Sequence, residues 1–354
     1  MNAPSDKPLL IRADSSAQIG TGHVMRCVAL AQAWQAGKGG AFFLSYCESQ
    51  TLRQWIEAAG IHFHPLSYRH PHPADLPTTL ALLRELRAEC LAVDGYHFDP
   101  DYQRSVRAAG YRLLVIDDFA HSPAYHADLL LNQNIHAAQL GYACDPGTTL
   151  LLGPRYALLR PEFLSWRGWC RIIPKAARKV LVTMGGGDAD NVTLRIIRML
   201  QQIRGIELEA RVAVGPACPH LKELRQVVAD DDGHLRILTN VTDMPALMAW
   251  ADVALAAGGS TCWELAFMGL PSVVMILAEN QRGIAEALDG AGIAMNAGYF
   301  DRVSDARLAQ ALVGLLLAPE RRRQMSQTGQ QLVDGGGAGR VIETLRASLV
   351  AASG

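Results

Sequence analysis

The chain has 354 residues, 49% hydrophobic and 19% charged, so it carries enough apolar material for packed cores and is too long for one ordinary core. Its 33 Lys and Arg are balanced by 34 Asp and Glu, which leaves no global positive field and argues against nucleic acid or anionic lipid as partners. Seven cysteines without a C-x-x-C pair read as reduced thiols, and the absence of a signal-peptide pattern or a membrane-length apolar run leads us to expect a cytoplasmic protein with no membrane partner.

In chain order, short apolar runs alternate with segments of helical period, the pattern of βα units around a parallel sheet. The first half predicts strands at Leu9 to Ala13, Ala41 to Tyr46, Leu91 to Asp94 and Leu113 to Asp117, with helices at His23 to Ala36, Thr51 to Ala59, Thr78 to Ala88 and Pro100 to Ala109. Two shorter strands follow at Asp128 to Leu131 and Leu150 to Leu152. His62, His64, His70 and His72 fall around a Pro-rich stretch that reads as a surface loop. The Trp-rich stretch 166–178 reads as a linker. A second set of strands is expected at Lys179 to Met184, Leu208 to Val214, Leu235 to Leu238, Asp252 to Ala256 and Ser272 to Leu277. From about Ala306 the chain is helical, broken by Gly335 to Gly337, so the last helix is free to pack away from the second domain. The expected organisation is an N-terminal doubly wound domain over 1–165, the linker, a C-terminal one over 179–335, and a C-terminal helix over 336–354, the two domains facing a central cleft. In such sheets ligands sit beyond the carboxyl ends of the strands, so the βα loops are where chemistry is expected.

The first loop, Asp14 to His23, joins a strand to a helix and contains Gly20 and Gly22; its amides and the helix start form an anion site, or the glycines serve only tight packing. Arg26 and Cys27 stand where a dinucleotide fingerprint would place its third glycine, which disfavours a nicotinamide cofactor. His23 lies in the first turn, where the helix dipole disfavours the imidazolium; a neutral ring there is a base for water, or else a capping or core histidine. Tyr96, just past a strand, orients a sugar or packs over the sheet edge. Asp117 and Asp118 suggest a metal pair but lack a third ligand, and loop capping is the better reading.

The second half contains Gly258, Gly259, Ser260 and Thr261 between a strand and a helix, whose amides and hydroxyls suit a diphosphate. Glu264, one turn on, is placed to accept ribose hydroxyls, against the plainer reading of a capped helix with an exposed carboxylate. Asn280 and Gln281 offer donors and acceptors for hydroxyl or acetamido groups. Gly185 and Gly186 follow the first strand of this half without the Lys-Ser/Thr of a Walker A loop, and suit close approach to phosphate or base.

These motifs resemble the UDP-2,4-diacetamido-2,4,6-trideoxy-β-L-altropyranose hydrolases of pseudaminic acid biosynthesis. The resemblance covers most of the chain and is carried by IRADSSAQIGTGHVMRCVALAQAW at 11–34, VDGYHFD at 93–99, LLGPRYALLRPEF at 151–163, VTMGGGD at 182–188, GGSTCWELAFMGLP and ENQ. It implies a GT-B fold of two Rossmann-like domains, related to the enzyme that adds N-acetylglucosamine in peptidoglycan synthesis but with water in place of the acceptor. By the resemblance His23 is the base, Ser15, Gly20, Gly22, Tyr96, Asn280 and Gln281 lie on the sugar side, and Gly185, Gly186, Gly258 to Thr261 and Glu264 bind UDP. No metal and no cofactor are implied, and inversion at the anomeric carbon is expected. The rival readings are a glycosyltransferase of the same fold and a nucleotide-sugar-binding protein without turnover.

Overall fold

The computed structural model describes residues 7–16, 18–229 and 233–351. The chain divides into two compact units, one built from residues up to 19, 23–161 and the segment from Gly335 onward, the other from Gly20–Gly22 and Glu162–Asp334.

In the first unit β1 (Leu9–Ala13), α1 (Gly22–Ala36), β2 (Ala41–Ser45), α2 (Gln50–Ala58), β3 (His62–Pro65), α3 (Asp75–Leu86), β4 (Cys90–Asp94), α4 (Pro100–Ala108), β5 (Arg112–Ile116), β6 (Leu129–Asn132) and β7 (Thr149–Leu152) follow in turn. The seven strands form one parallel sheet in the order β3-β2-β1-β4-β5-β6-β7. Central strands such as LLIRA and CLAVD are buried throughout because helices cover both faces, so they read as continuous apolar runs. The two-residue period sorts β1: Leu9, Ile11 and Ala13 pack with α1, while Leu10 faces Leu83 of α3 and Val106 of α4. Ser49 and Asp99 cap α2 and α4 through the amides of Leu52 (3.2 Å) and Tyr102 (2.8 Å).

The histidine-rich stretch read as a surface loop is in part the edge strand β3. His62 pairs in register with Phe42 and stacks on its ring at 4.7 Å. Only four residues long, half exposed and ending in Pro65, the strand has none of the apolar signal of its neighbours.

The second unit begins with α5 (Pro161–Leu164) and continues through β8 (Lys179–Thr183), α6 (Val192–Gln202), β9 (Glu209–Val214), α7 (Leu221–Ala229), β10 (Leu235–Thr239), α8 (Met244–Trp250), β11 (Val253–Ala257), α9 (Thr261–Phe267), β12 (Ser272–Ile276), α10 (Arg282–Gly290), β13 (Ala294–Tyr299), α11 (Asp305–Leu316) and α12 (Pro319–Leu332). Its six parallel strands run β10-β9-β8-β11-β12-β13. The unpredicted β13 is a small-residue edge strand, AMNAGY, whose register against β12 shifts between Val274 and Ile276. The stretch expected as a linker is tied to this unit by Arg171, which donates to the carbonyls of Met268 (3.1 Å) and Met248 (2.6 Å). The last helix, α13 (Gly337–Ala351), belongs to the first unit, where Val341, Ile342, Leu345 and Leu349 join the β1 and α1 core. Among the described residues no helix is long and apolar enough to cross a membrane.

Candidate functional site

The strand order reverses direction between β1 and β4 in the first sheet and between β8 and β11 in the second. A parallel sheet opens a crevice at the carboxyl ends of such neighbouring strands. The sequence motifs fall there: His23 and Tyr96 follow β1 and β4, and the two glycine-rich turns follow β8 and β11.

His23 is the second residue of α1 and is 8% exposed. Its Nδ1 lies 2.6 Å from Oδ1 of Asp94, the last residue of β4. Arg26, three residues along α1 and so on the same face, donates from Nε and Nη2 to the two oxygens of Asp94 at 2.6 and 2.7 Å. Its Nη1 reaches Oδ1 of Asp118, beyond β5, at 2.7 Å. Asp118 also accepts from the hydroxyl of Tyr96 at 2.6 Å and from Nδ2 of Asn134 at 2.9 Å. The rings of His23 and Tyr96 meet edge to face at 4.9 Å. Elements after four neighbouring strands, β1, β4, β5 and β6, are therefore joined in one polar network.

The protonation pattern of this network follows from its charges. Burial opposes ionisation of Asp94, but Arg26 and His23 outweigh it and hold the carboxyl well below the usual carboxylate range. Burial works against Asp118 in the same way and is overcome by Arg26. Burial also opposes the charged form of Arg26, and the two carboxylates more than restore it. Asp94 is thus an acceptor and His23 must donate to it from Nδ1, leaving Nε2 as the ring nitrogen able to accept a proton. The 3.3 Å approach of Arg26 Nη2 to the same Nδ1 is then a close contact between two donors.

The rest of the first loop is more committed than its glycines suggest. The Ser15 amide donates to the Tyr46 carbonyl at 2.9 Å and the Ile19 amide to Ser16 Oγ at 3.2 Å, so neither is offered to an anion. Gly20, with φ of 76°, makes the turn that a side chain would strain. Below the loop lies a cluster that sequence reasoning missed. Arg12, wholly buried in β1, pairs with Asp14 and Asp75, and Asp14 accepts from the Tyr46 amide at 2.8 Å. An arginine in an otherwise apolar strand was the available signal, since a buried charge requires partners. Asp117 caps its own loop through the amides of Phe119 (2.8 Å) and Ala120 (2.7 Å) and diverges from Asp118.

In the second unit Gly185 has φ of 83°, and Gly215, after β9, has the Gly185 and Gly186 backbone where a Cβ would stand, so close loop packing accounts for part of the glycine run. Asp188 caps α6 through the amides of Val192 (2.8 Å) and Thr193 (2.9 Å). Gly258 is anchored by its amide to the Met275 carbonyl at 2.9 Å, and the turn through Gly259 leads into α9. Ser260 adopts helical backbone angles and its side chain makes no capping hydrogen bond, so helix capping does not explain a serine here. Thr261 and Glu264 follow on α9, both part-exposed. Gln281 accepts from the Leu277 amide at 2.9 Å and packs by Gly258, which makes it a brace of the glycine-rich turn; Asn280 sits beside it, part-exposed, in a short 3-10 turn that Glu279 ties to the Tyr299 hydroxyl.

Residues 179–335, from the first residue of β8, match the glycosyltransferase family 28 C-terminal domain. Over the chain as a whole the backbone is similar to the crystal structure of Acinetobacter baumannii MurG, with a TM-score of 0.66 at 16% identity, covering 96% of this chain and 99% of that one. The fold is GT-B. Among curated proteins, this GT-B chain is 28% identical over 200 residues to the spore coat polysaccharide biosynthesis protein SpsG of Bacillus subtilis, covering 56% of this chain. That match spans 58% of the relative's own length. It is also 24% identical over 284 residues to the UDP-2,4-diacetamido-2,4,6-trideoxy-beta-L-altropyranose hydrolase of Campylobacter jejuni, covering 78% of this chain and 94% of that relative.

Proposed function

We propose that the protein is a nucleotide-sugar enzyme that hydrolyses a UDP-linked diacetamido-trideoxyhexose, releasing UDP and the free sugar with inversion. The observation that carries this reading is the His23 and Asp94 pair at the first switch point, which leaves a largely buried imidazole with Nε2 as its proton-accepting nitrogen. The likeness to the Campylobacter hydrolase over most of both chains supports the substrate class. In the proposed step a water gives its proton to His23 Nε2 as its oxygen bonds to the anomeric carbon. The bond from that carbon to the β-phosphate oxygen breaks, and its electron pair leaves with UDP. A nucleoside diphosphate departs readily as an anion, so the step needs donors for the developing charge more than a strong general acid, and we assign no metal to it. Gly258, Gly259, Ser260 and Thr261 are the proposed diphosphate turn, with Gly185 and Gly186 beside the nucleotide and Glu264 on the ribose. Tyr96 and Asn280, with the Ser15 to Gly22 loop, are assigned to the sugar.

A glycosyltransferase is the second reading, favoured by the family 28 domain match. Incubation with a panel of UDP-sugars that includes UDP-2,4-diacetamido-2,4,6-trideoxyaltrose separates the two: UDP release without acceptor is expected, and release only on addition of an acceptor would establish the transferase. Run in ¹⁸O-water, the reaction should leave the mass of UDP unchanged, because the bridging oxygen departs with phosphorus; labelled UDP would mean attack at phosphorus. Glu264→Ala should raise KM several-fold with little change in kcat, since ribose contacts are alike in ground and transition states. Steady-state kinetics check this, and a large fall in kcat at constant KM would remove Glu264 from the ribose.

A further inference from the structure

One guanidinium carries both halves of the first unit's polar network. Arg26 uses Nε and Nη2 as a fork on Asp94 and Nη1 on Asp118, so the carboxylate bonded to His23 and the carboxylate bonded to Tyr96 share a single planar partner. A fork of this kind fixes the carboxylate plane as well as its position, which a lysine, acting as a point charge, does not. The arginine is 5% exposed and both carboxylates are buried, so water contributes little to holding this geometry.

We propose that Arg26 is the positioning residue of this site: through Asp94 it sets the tautomer of His23, and through Asp118 it sets the place of the Tyr96 hydroxyl. The inference rests on the reading of His23 as base and adds a reason for the network's charge. With His23 neutral, one buried cation faces two buried anions; a proton accepted at Nε2 brings the cluster to balance. The groups facing His23 are Asp94 and Tyr96 from β4 and its loop, Arg26 from α1, Asp118 beyond β5, and His97, with Cys27 of α1 donating to the far oxygen of Asp94 at 3.4 Å. Burial keeps the Cys27 thiol protonated and lowers His97 to about 4, so neither adds charge near neutral pH.

The test compares Asp94→Asn, Arg26→Gln and Arg26→Lys with wild type in two measurements. The first is the ¹⁵N signature of His23 in full-length protein, assigned against His23→Gln, and needs no turnover. Wild type should show the neutral ring protonated at Nδ1, and Asp94→Asn and both Arg26 variants should populate the Nε2-protonated form. The second is the pH profile of kcat/KM on the UDP-sugar above. Its acidic limb should move down by about one pH unit in Asp94→Asn, where an anion is lost, and up by a similar amount in Arg26→Gln, where a cation is lost. Arg26→Lys, which keeps the charge and loses the fork, should lower kcat at least about tenfold with the limb in place. Limbs that move in the same direction, or an unchanged tautomer in the variants, would overturn the proposal. Should Arg26→Gln not fold, Arg26→Lys decides: wild-type tautomer and kcat within about twofold would count against the role. Full activity of His23→Ala would instead dispose of the base reading and leave the tautomer measurement standing as the test of positioning.

Discussion

Replacing His23 by Ala is expected to lower kcat by about a hundredfold or more while leaving the affinity for UDP unchanged, because loss of a general base acts on the transition state and not on nucleotide contacts. The two effects separate because the proposed partners of UDP lie after β8 and β11 of the second unit, whereas His23 opens α1 of the first. Calorimetric titration with UDP and steady-state turnover of the same preparation check both halves. The residual rate is informative, since donors around the diphosphate still assist departure of UDP when the base is gone. Turnover equal to wild type would move the proton to another group. Tyr96, whose ring meets that of His23 edge to face at 4.9 Å, already donates its hydroxyl proton to Asp118.

The candidate residues legible from sequence, in each unit by itself, are those that local rules govern. Strands buried on both faces announce themselves as apolar runs, and the residues after them had to lie at the carboxyl edge, so His23, Tyr96 and the Gly258 to Thr261 turn could be found without coordinates. The network behind His23 was not legible, because its members are 71 and 92 residues apart along the chain. Asp94 could be read as the end of a strand but not as the partner of His23. Arg26 could be seen only as a residue spoiling a glycine fingerprint, although an arginine one helical turn from a histidine, in a helix otherwise rich in Val, Ala and Leu, is a position that demands buried carboxylates. The edge strands β3 and β13 escaped for a different reason. Each has one neighbour and mixed exposure, so neither composition nor alternation marks it.

The largest expected loss of stability lies far from the chemistry, in the helix that returns to the first unit. Leu345 of α13 is fully buried against the β1 and α1 core, and Leu345→Ala should cost about 3 kcal/mol, the lost transfer energy together with the cavity it leaves. Val350, 62% exposed on the same helix, is the control, and its replacement by Ala should stay within about 0.5 kcal/mol. Gly337 adds a steric test at the point where α13 begins, because a Cβ there would overlap the carbonyl oxygen of Ala157. Since the obstacle is backbone, Gly337→Val must displace either the start of the helix or the Tyr156 to Ala157 segment, and a destabilisation of at least about 2 kcal/mol is expected. The helix is further held by Arg346, which donates to the carbonyls of Trp34 (3.1 Å) and Gly37 (3.2 Å) and lies over the Trp34 ring at 4.7 Å. Because α1 carries both Trp34 and, at its other end, His23 and Arg26, loosening α13 acts on the element that presents the proposed base. Urea unfolding of the three variants measures the ordering directly. A Leu345→Ala protein as stable as the Val350→Ala control would mean that α13 does not pack on the first unit in solution.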